Sequence, residues 1–101
     1  MTNALLTDNG RCVDLWRIIT DHGYRSQKEK AVEELCELAT ELARDLQGGG
    51  SRDAVTEEMA DVYVILAQLE LIYGNSHEVE AIVAEKIERT LKRMSEHEDH
   101  G

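Results

Sequence analysis

Between Asp53 and Tyr73 the chain has no lysine or arginine, and after Met59 apolar residues fall on nearly every side of a helix drawn through it. Such a helix offers little to solvent and belongs at the centre of an all-helical domain. Yet Glu58 and Asp61 stand within it, on the side that carries Ile65 and Ile72. Aspartate is a poor helix former, and carboxylates are seldom buried without a compensating charge. The stretch therefore predicts a central helix that needs cations beside it.

The rest of the chain divides around this helix. Proline is absent, and the glycines fall where helices should stop. Residues 1–10 show no sustained periodicity and are expected to form a loose arm. Cys12, Val13, Leu15, Trp16, Ile18 and Ile19 give helical spacing from Arg11 to about Asp21, with Gly23 as terminator. Ser26-Gln27-Lys28-Glu29 has the form of a capping box and predicts a second helix to about Leu46. Its expected core stripe is Val32, Leu35, Leu38, Ala39, Leu42 and Leu46. Gly48-Gly49-Gly50 supplies the turn, and the third helix runs from near Ser51 or Asp53 to Tyr73, closed by Gly74. Asn75 or Ser76 then caps a fourth helix from about His77 to Met94, with Val79, Ile82, Val83, Ile87, Leu91 and Met94 expected to face inward. Residues 95–101 read as a frayed, polar tail. Four helices with short connections predict one domain over residues 1–101, an all-α four-helix bundle. A chain this short has a small core, so a homo-oligomer is a natural supplement.

The net charge of −10 argues against nucleic acid or an anionic membrane as partner. The apolar run from Met59 to Tyr73 is too short to span a bilayer and is interrupted by Asp61, Gln68 and Glu70. No basic segment followed by an apolar run opens the chain, and Cys12 and Cys36 read as buried, reduced thiols, so a cytoplasmic location is expected. Aromatic residues make up 4%, without phenylalanine, so aliphatic side chains must fill the core. Trp16, Tyr24, Tyr63 and Tyr73 are expected in that core more readily than against a nucleobase.

Two acidic segments carry the chemistry: Glu33-Glu34-Leu35-Cys36-Glu37 and Glu57-Glu58-Met59-Ala60-Asp61. Spacing of three places Glu34 with Glu37, and Glu58 with Asp61, on one side of a helix. Alone, the first segment reads as a solvated face opposite the apolar stripe. If the two helices pack antiparallel, however, four carboxylates meet. Two charges 4 Å apart repel by roughly 4 kcal/mol at an effective dielectric of about 20, so four require cations or protons. The donors are all oxygen, which favours Mg²⁺, with Mn²⁺ second, over zinc or copper. A di-iron bundle would want Glu-x-x-His pairs, which these motifs lack. Ions anchored by carboxylates typically take phosphate oxygens and water as further ligands, so metal-assisted phosphoanhydride hydrolysis is the expected reaction. Glu33 is the first candidate to orient or deprotonate the attacking water.

The order Glu-Glu-x-x-Glu and then Glu-x-x-Asp-Val on successive helices resembles the MazG-like family of all-α nucleoside triphosphate pyrophosphohydrolases. The resemblance runs from Tyr24-Arg25-Ser26-Gln27 through Lys86-Ile87-Glu88-Arg89. It implies a MazG-type fold, Mg²⁺ dependence, cleavage between the α and β phosphates to a nucleoside monophosphate and pyrophosphate, and intimate dimers or dimers of dimers. It implies Glu34, Glu37, Glu58 and Asp61 as metal ligands and Glu33 as an accessory acid. Lys86 and Arg89 are similar to the family's basic pair that reaches substrate phosphates, although Ala84 and Glu85 stand where an asparagine is frequent. Gln27 and Lys28 are further candidates for substrate contact. Two rival readings fit the same motifs: a non-catalytic acidic helical module that dimerises and binds a protein partner, and a related enzyme acting on a phosphoribosylated nucleotide.

Overall fold

The structure, a computed structural model, describes residues 8–100. The first helix opens earlier than apolar spacing predicts, because Asp8 caps it: its Oδ1 accepts the N–H of Arg11 at 3.1 Å. Helix α1 therefore spans Asn9–His22. Of the expected loose arm, Asn9 and Gly10 are helical, and residues 1–7 lie outside the described residues.

Gly23 ends α1 and begins α2, Tyr24–Leu46, within one residue. Its φ of +91° is open to glycine and strained for other residues. Its N–H donates to the carbonyl of Ile19, and its own carbonyl accepts the N–H of Gln27. The expected capping box at Ser26 does not form. The helix has already started at Tyr24, so the Glu29 N–H that Ser26 would cap belongs to the helix's own backbone ladder.

At the far end of α2 the N–H groups of Gly48 and Gly49 donate back to Asp45 and Arg44. Gly50 then passes so close to the helix that a Cβ there would lie 2.7 Å from Asp45 N. Only glycine fits this return, and it sends α3, Arg52–Tyr73, back alongside α2. Ser51 caps α3 by accepting the N–H of Ala54, and Gly74 closes it, both as the sequence predicts. Helix α4 spans Ser76–His100, continuing past Met94 through residues that include neither glycine nor proline. The described residues contain four helices and no strand, an all-α architecture. None of the helices is long and apolar enough to cross a membrane.

Packing departs from the expected bundle. Helices α2 and α3 form the dominant pair, and α1 lies against both. The buried apolar residues are Leu15 and Ile19 of α1, Ala31 of α2, and Val62, Ile65 and Ala67 of α3. Among the described residues α4 has no extended packing against the other three helices. The chain accordingly has a radius of gyration of 16.9 Å, against about 13 Å for a compact chain of this length.

Several inward assignments are corrected. Val79, Ile82, Val83, Ile87, Leu91 and Met94 of α4 are exposed, and so are Val32, Leu35, Leu42 and Leu46 of α2, the last at 88%. Helix α2 instead turns Gln27, Ala31 and Glu34 inward, the face that matches the polar side of α3. Cys36 sits on the outer side and is exposed, while Cys12 is half-buried; both are free thiols. Trp16, Tyr24, Tyr63 and Tyr73 are exposed rather than core, and the Lys28 ammonium lies 4.6 Å from the centre of the Tyr73 ring.

Candidate metal centre

The α2–α3 pair is antiparallel, so equal steps up one helix and down the other bring residues together. Three steps take Glu34 to Glu37 on α2 and Asp61 back to Glu58 on α3. One oxygen from each of these four carboxylates lies within 4.8 Å of the others. The geometry expected from the two motifs is thus formed, with side chains from both helices.

Burial makes the cluster costly as it stands. Glu34 is only 6% exposed. Its Oε1 lies 3.1 Å from the ammonium of Lys30, whereas its Oε2 is sealed from solvent with no hydrogen-bond partner. Glu58 Oε2 is likewise sealed and unpartnered. Burial, reinforced by the charge of Glu37 and a hydrogen bond with it, and by the charges of Asp61 and Glu34, raises the Glu58 carboxyl above its ordinary pKa. The site thus favours either a proton on Glu58 or a cation among the four groups.

Lys30 supplies part of the compensation. It pairs with Glu34 and stands 3.8 Å from Glu33. Its own pKa is raised, first by the hydrogen bond to Glu34 and then by the charges of Glu33 and Glu34. An ammonium on a half-exposed, flexible stem cannot balance four converging carboxylates. Two unpartnered buried oxygens and an all-oxygen donor set could hold a metal ion.

No family model, curated protein or solved structure matches this chain. What the centre can do rests on its own residues and their surroundings.

A cavity of about 570 Å³ opens beside the cluster. Lys30, Glu33, Glu34 and Asp61 line one part of it, and Gln27, Gln68, His22 and Ser26 line another. Glu33 thus lines the open space but stands outside the four-carboxylate group. Gln27 reaches the cavity too, where its Nε2 donates to Gln68 Oε1. Lys86 and Arg89 do not line the cavity; they sit on α4, which is not packed beside it.

Among the lining residues that sequence reasoning did not assign to the site are Lys30 and Gln68. Lys30 was open to discovery, being three and four residues before Glu33 and Glu34 on the same helix. Gln68 carried a subtler signal. It follows Asp61 by seven residues, as Gln27 precedes Glu34 by seven.

Proposed function

We propose that this chain is a Mg²⁺-dependent nucleoside triphosphate pyrophosphohydrolase of the MazG-like kind, with Mn²⁺ as an alternative ion. It cleaves between the α and β phosphates, releasing a nucleoside monophosphate and pyrophosphate. The observation that carries the reading is the convergence of Glu34, Glu37, Glu58 and Asp61 within 4.8 Å, with two buried oxygens lacking partners. These four residues hold the metal. When bound, the metal offsets the charge of the triphosphate and favours ionisation of water.

The chain's other residues then take ordinary roles. Glu33, at the cavity wall, orients the attacking water and accepts its proton. The water oxygen bonds to phosphorus as the bond to the bridging oxygen breaks, and pyrophosphate leaves with that electron pair. Lys30 holds Glu34 in place and, once the metal shares that carboxylate, is free to meet phosphate oxygens. Lys86 and Arg89 do not line the cavity of their own chain. They serve as phosphate contacts if copies assemble with α4 laid across a neighbouring subunit. The exposed apolar stripes of α4 and α2 support such a homodimer or dimer of dimers. Reduced Cys12 and Cys36 suit a cytoplasmic enzyme.

Pyrophosphate release from a panel of nucleotides with Mg²⁺ tests the reading. Turnover that EDTA abolishes and Mg²⁺ restores is the expected result. Folded protein that turns over no member of the panel would overturn it.

The non-catalytic module keeps a second place on a specific observation, the uncovered apolar residues of α2 and α4. It predicts no response to Mg²⁺ in calorimetry and full tolerance of Asp61→Asn.

A further inference from the structure

Away from the carboxylates, the cavity has another polar end. Gln27 and Gln68 line it and are almost wholly enclosed, at 5% and 3% exposure. The bond between them uses one polar atom of each amide. An acceptor oxygen on Gln27 and a donor nitrogen on Gln68 are left over. Among the described residues, the sealed side-chain atoms without partners belong to Glu34, Glu58 and Asn75. Neither leftover glutamine atom is among them. If oxygen and nitrogen are exchanged in both amides the bond reverses, yet one donor and one acceptor still stand side by side.

Register adds a distance. Gln27 precedes Glu34 by seven residues on α2, and Gln68 follows Asp61 by seven on the antiparallel α3. The glutamine pair thus lies two helical turns, about 10 Å, from the carboxylates. A nucleotide has matching proportions, with phosphates at one end and a flat heterocycle at the other. The edge of each standard base sets a donor next to an acceptor. Ile18, Val64 and Ile65 line the same cavity and suit the faces of such a ring.

We propose that Gln27 and Gln68 form a base-reading subsite that takes the donor–acceptor edge of a nucleobase while the triphosphate lies toward the carboxylates. This rests on the hydrolase reading above and makes the substrate class nucleotides with an intact base edge. The two amides can turn over together, so amino-edged bases (adenine, cytosine) and keto-edged bases (guanine, uracil, thymine) both satisfy the native pair. A base that has lost its exocyclic group does not.

The test uses the full chain with Mg²⁺ and compares kcat/KM for ATP, GTP and purine riboside triphosphate, whose ring lacks that group. Native protein should disfavour the purine riboside compound by at least about tenfold. Gln68→Met removes both amide atoms at modest steric cost and should erase the difference. Gln68→Glu keeps an acceptor for Gln27 but replaces the free donor with a second acceptor, which suits the adjacent N1–H and N2–H donors of guanine, so GTP should gain on ATP by about tenfold. A purely structural role for the pair would lower thermal stability and leave these ratios unchanged. Calorimetric binding of the α,β-methylene analogues repeats the comparison without bond cleavage. Equal kcat/KM for all three compounds, in native and variant protein alike, overturns the subsite and leaves the hydrolase standing. Edge-selective binding of the analogues without any hydrolysis supports the subsite and removes the catalytic reading. Neither binding nor hydrolysis of any compound overturns both.

Discussion

The two faces of α2 have exchanged the places that a hydrophobic pattern assigns them. The face carrying Gln27, Ala31 and Glu34 is buried against α3, while Val32, Leu35, Leu42 and Leu46 look outward. Turning polar groups inward and aliphatic ones outward is costly for an isolated chain. It becomes reasonable where the polar face holds ions and substrate and the apolar face is covered by another molecule. Pattern alone shows where a helix is apolar. It does not show which surface covers that side.

The inner face should prove the more fragile in function. Asp61→Asn and Glu37→Gln each remove a charge from the converging group and should lower pyrophosphate release by at least about a hundredfold. Circular dichroism should show helix content nearly unchanged. Loss of activity only in step with loss of helix would mean that the inner face is structural.

The outer face should prove the more important for assembly. Leu35→Glu on α2 and Leu91→Glu on α4 place a charge in the middle of each exposed stripe. Both should convert the assembled protein to monomer by light scattering, with the Mg²⁺ affinity of the remaining monomer reduced less than by Asp61→Asn. If the native protein is already monomeric at high concentration, the contrast between the faces loses its explanation.

Acidity offers a smaller effect on the inner face. Folding raises the Glu58 pKa, so the folded state holds this proton more tightly than the unfolded chain does. The resulting stabilisation is complete below the ordinary glutamate range and is lost as pH rises through the raised value. In EDTA the melting temperature should therefore fall as pH climbs out of the acidic range, and Mg²⁺ should restore most of the loss near neutrality. A melting temperature indifferent to Mg²⁺ at neutral pH would show that the cluster holds no ion. The mildest change is Ser51→Ala, which deletes the cap of α3 and should cost about 1 kcal/mol in chemical denaturation. Because Ser51 lies outside the cavity, Mg²⁺ affinity should barely move.

Much of this was legible in the sequence for local reasons. Gly23, Gly74 and Ser51 mark helix ends through backbone freedom and side-chain capping, which act over a few residues. The meeting of Glu34, Glu37, Glu58 and Asp61 followed from spacing of three on two helices joined by a short turn. The Ser26 cap failed because a stronger start at Gly23 stood just upstream. The placement of α4 and the outward stripe of α2 were not legible, since both depend on which distant surface a helix meets. Cys36 and the tyrosines were misplaced for the same reason. Lys86 and Arg89 sit on α4, so their relation to the cavity depends on where that helix packs.

The matched seven-residue steps that bind α2 to α3 have a consequence for how such a molecule can change. Adding one residue between Gln27 and Glu34 would rotate everything beyond it by about 100° and turn the carboxylates away from their partners. The separation between the two polar ends can thus lengthen or shorten only by near-whole turns, matched on both helices. Fine adjustment to a differently sized guest must come from side chains and from the tilt of α1, because the ruler itself has no small divisions.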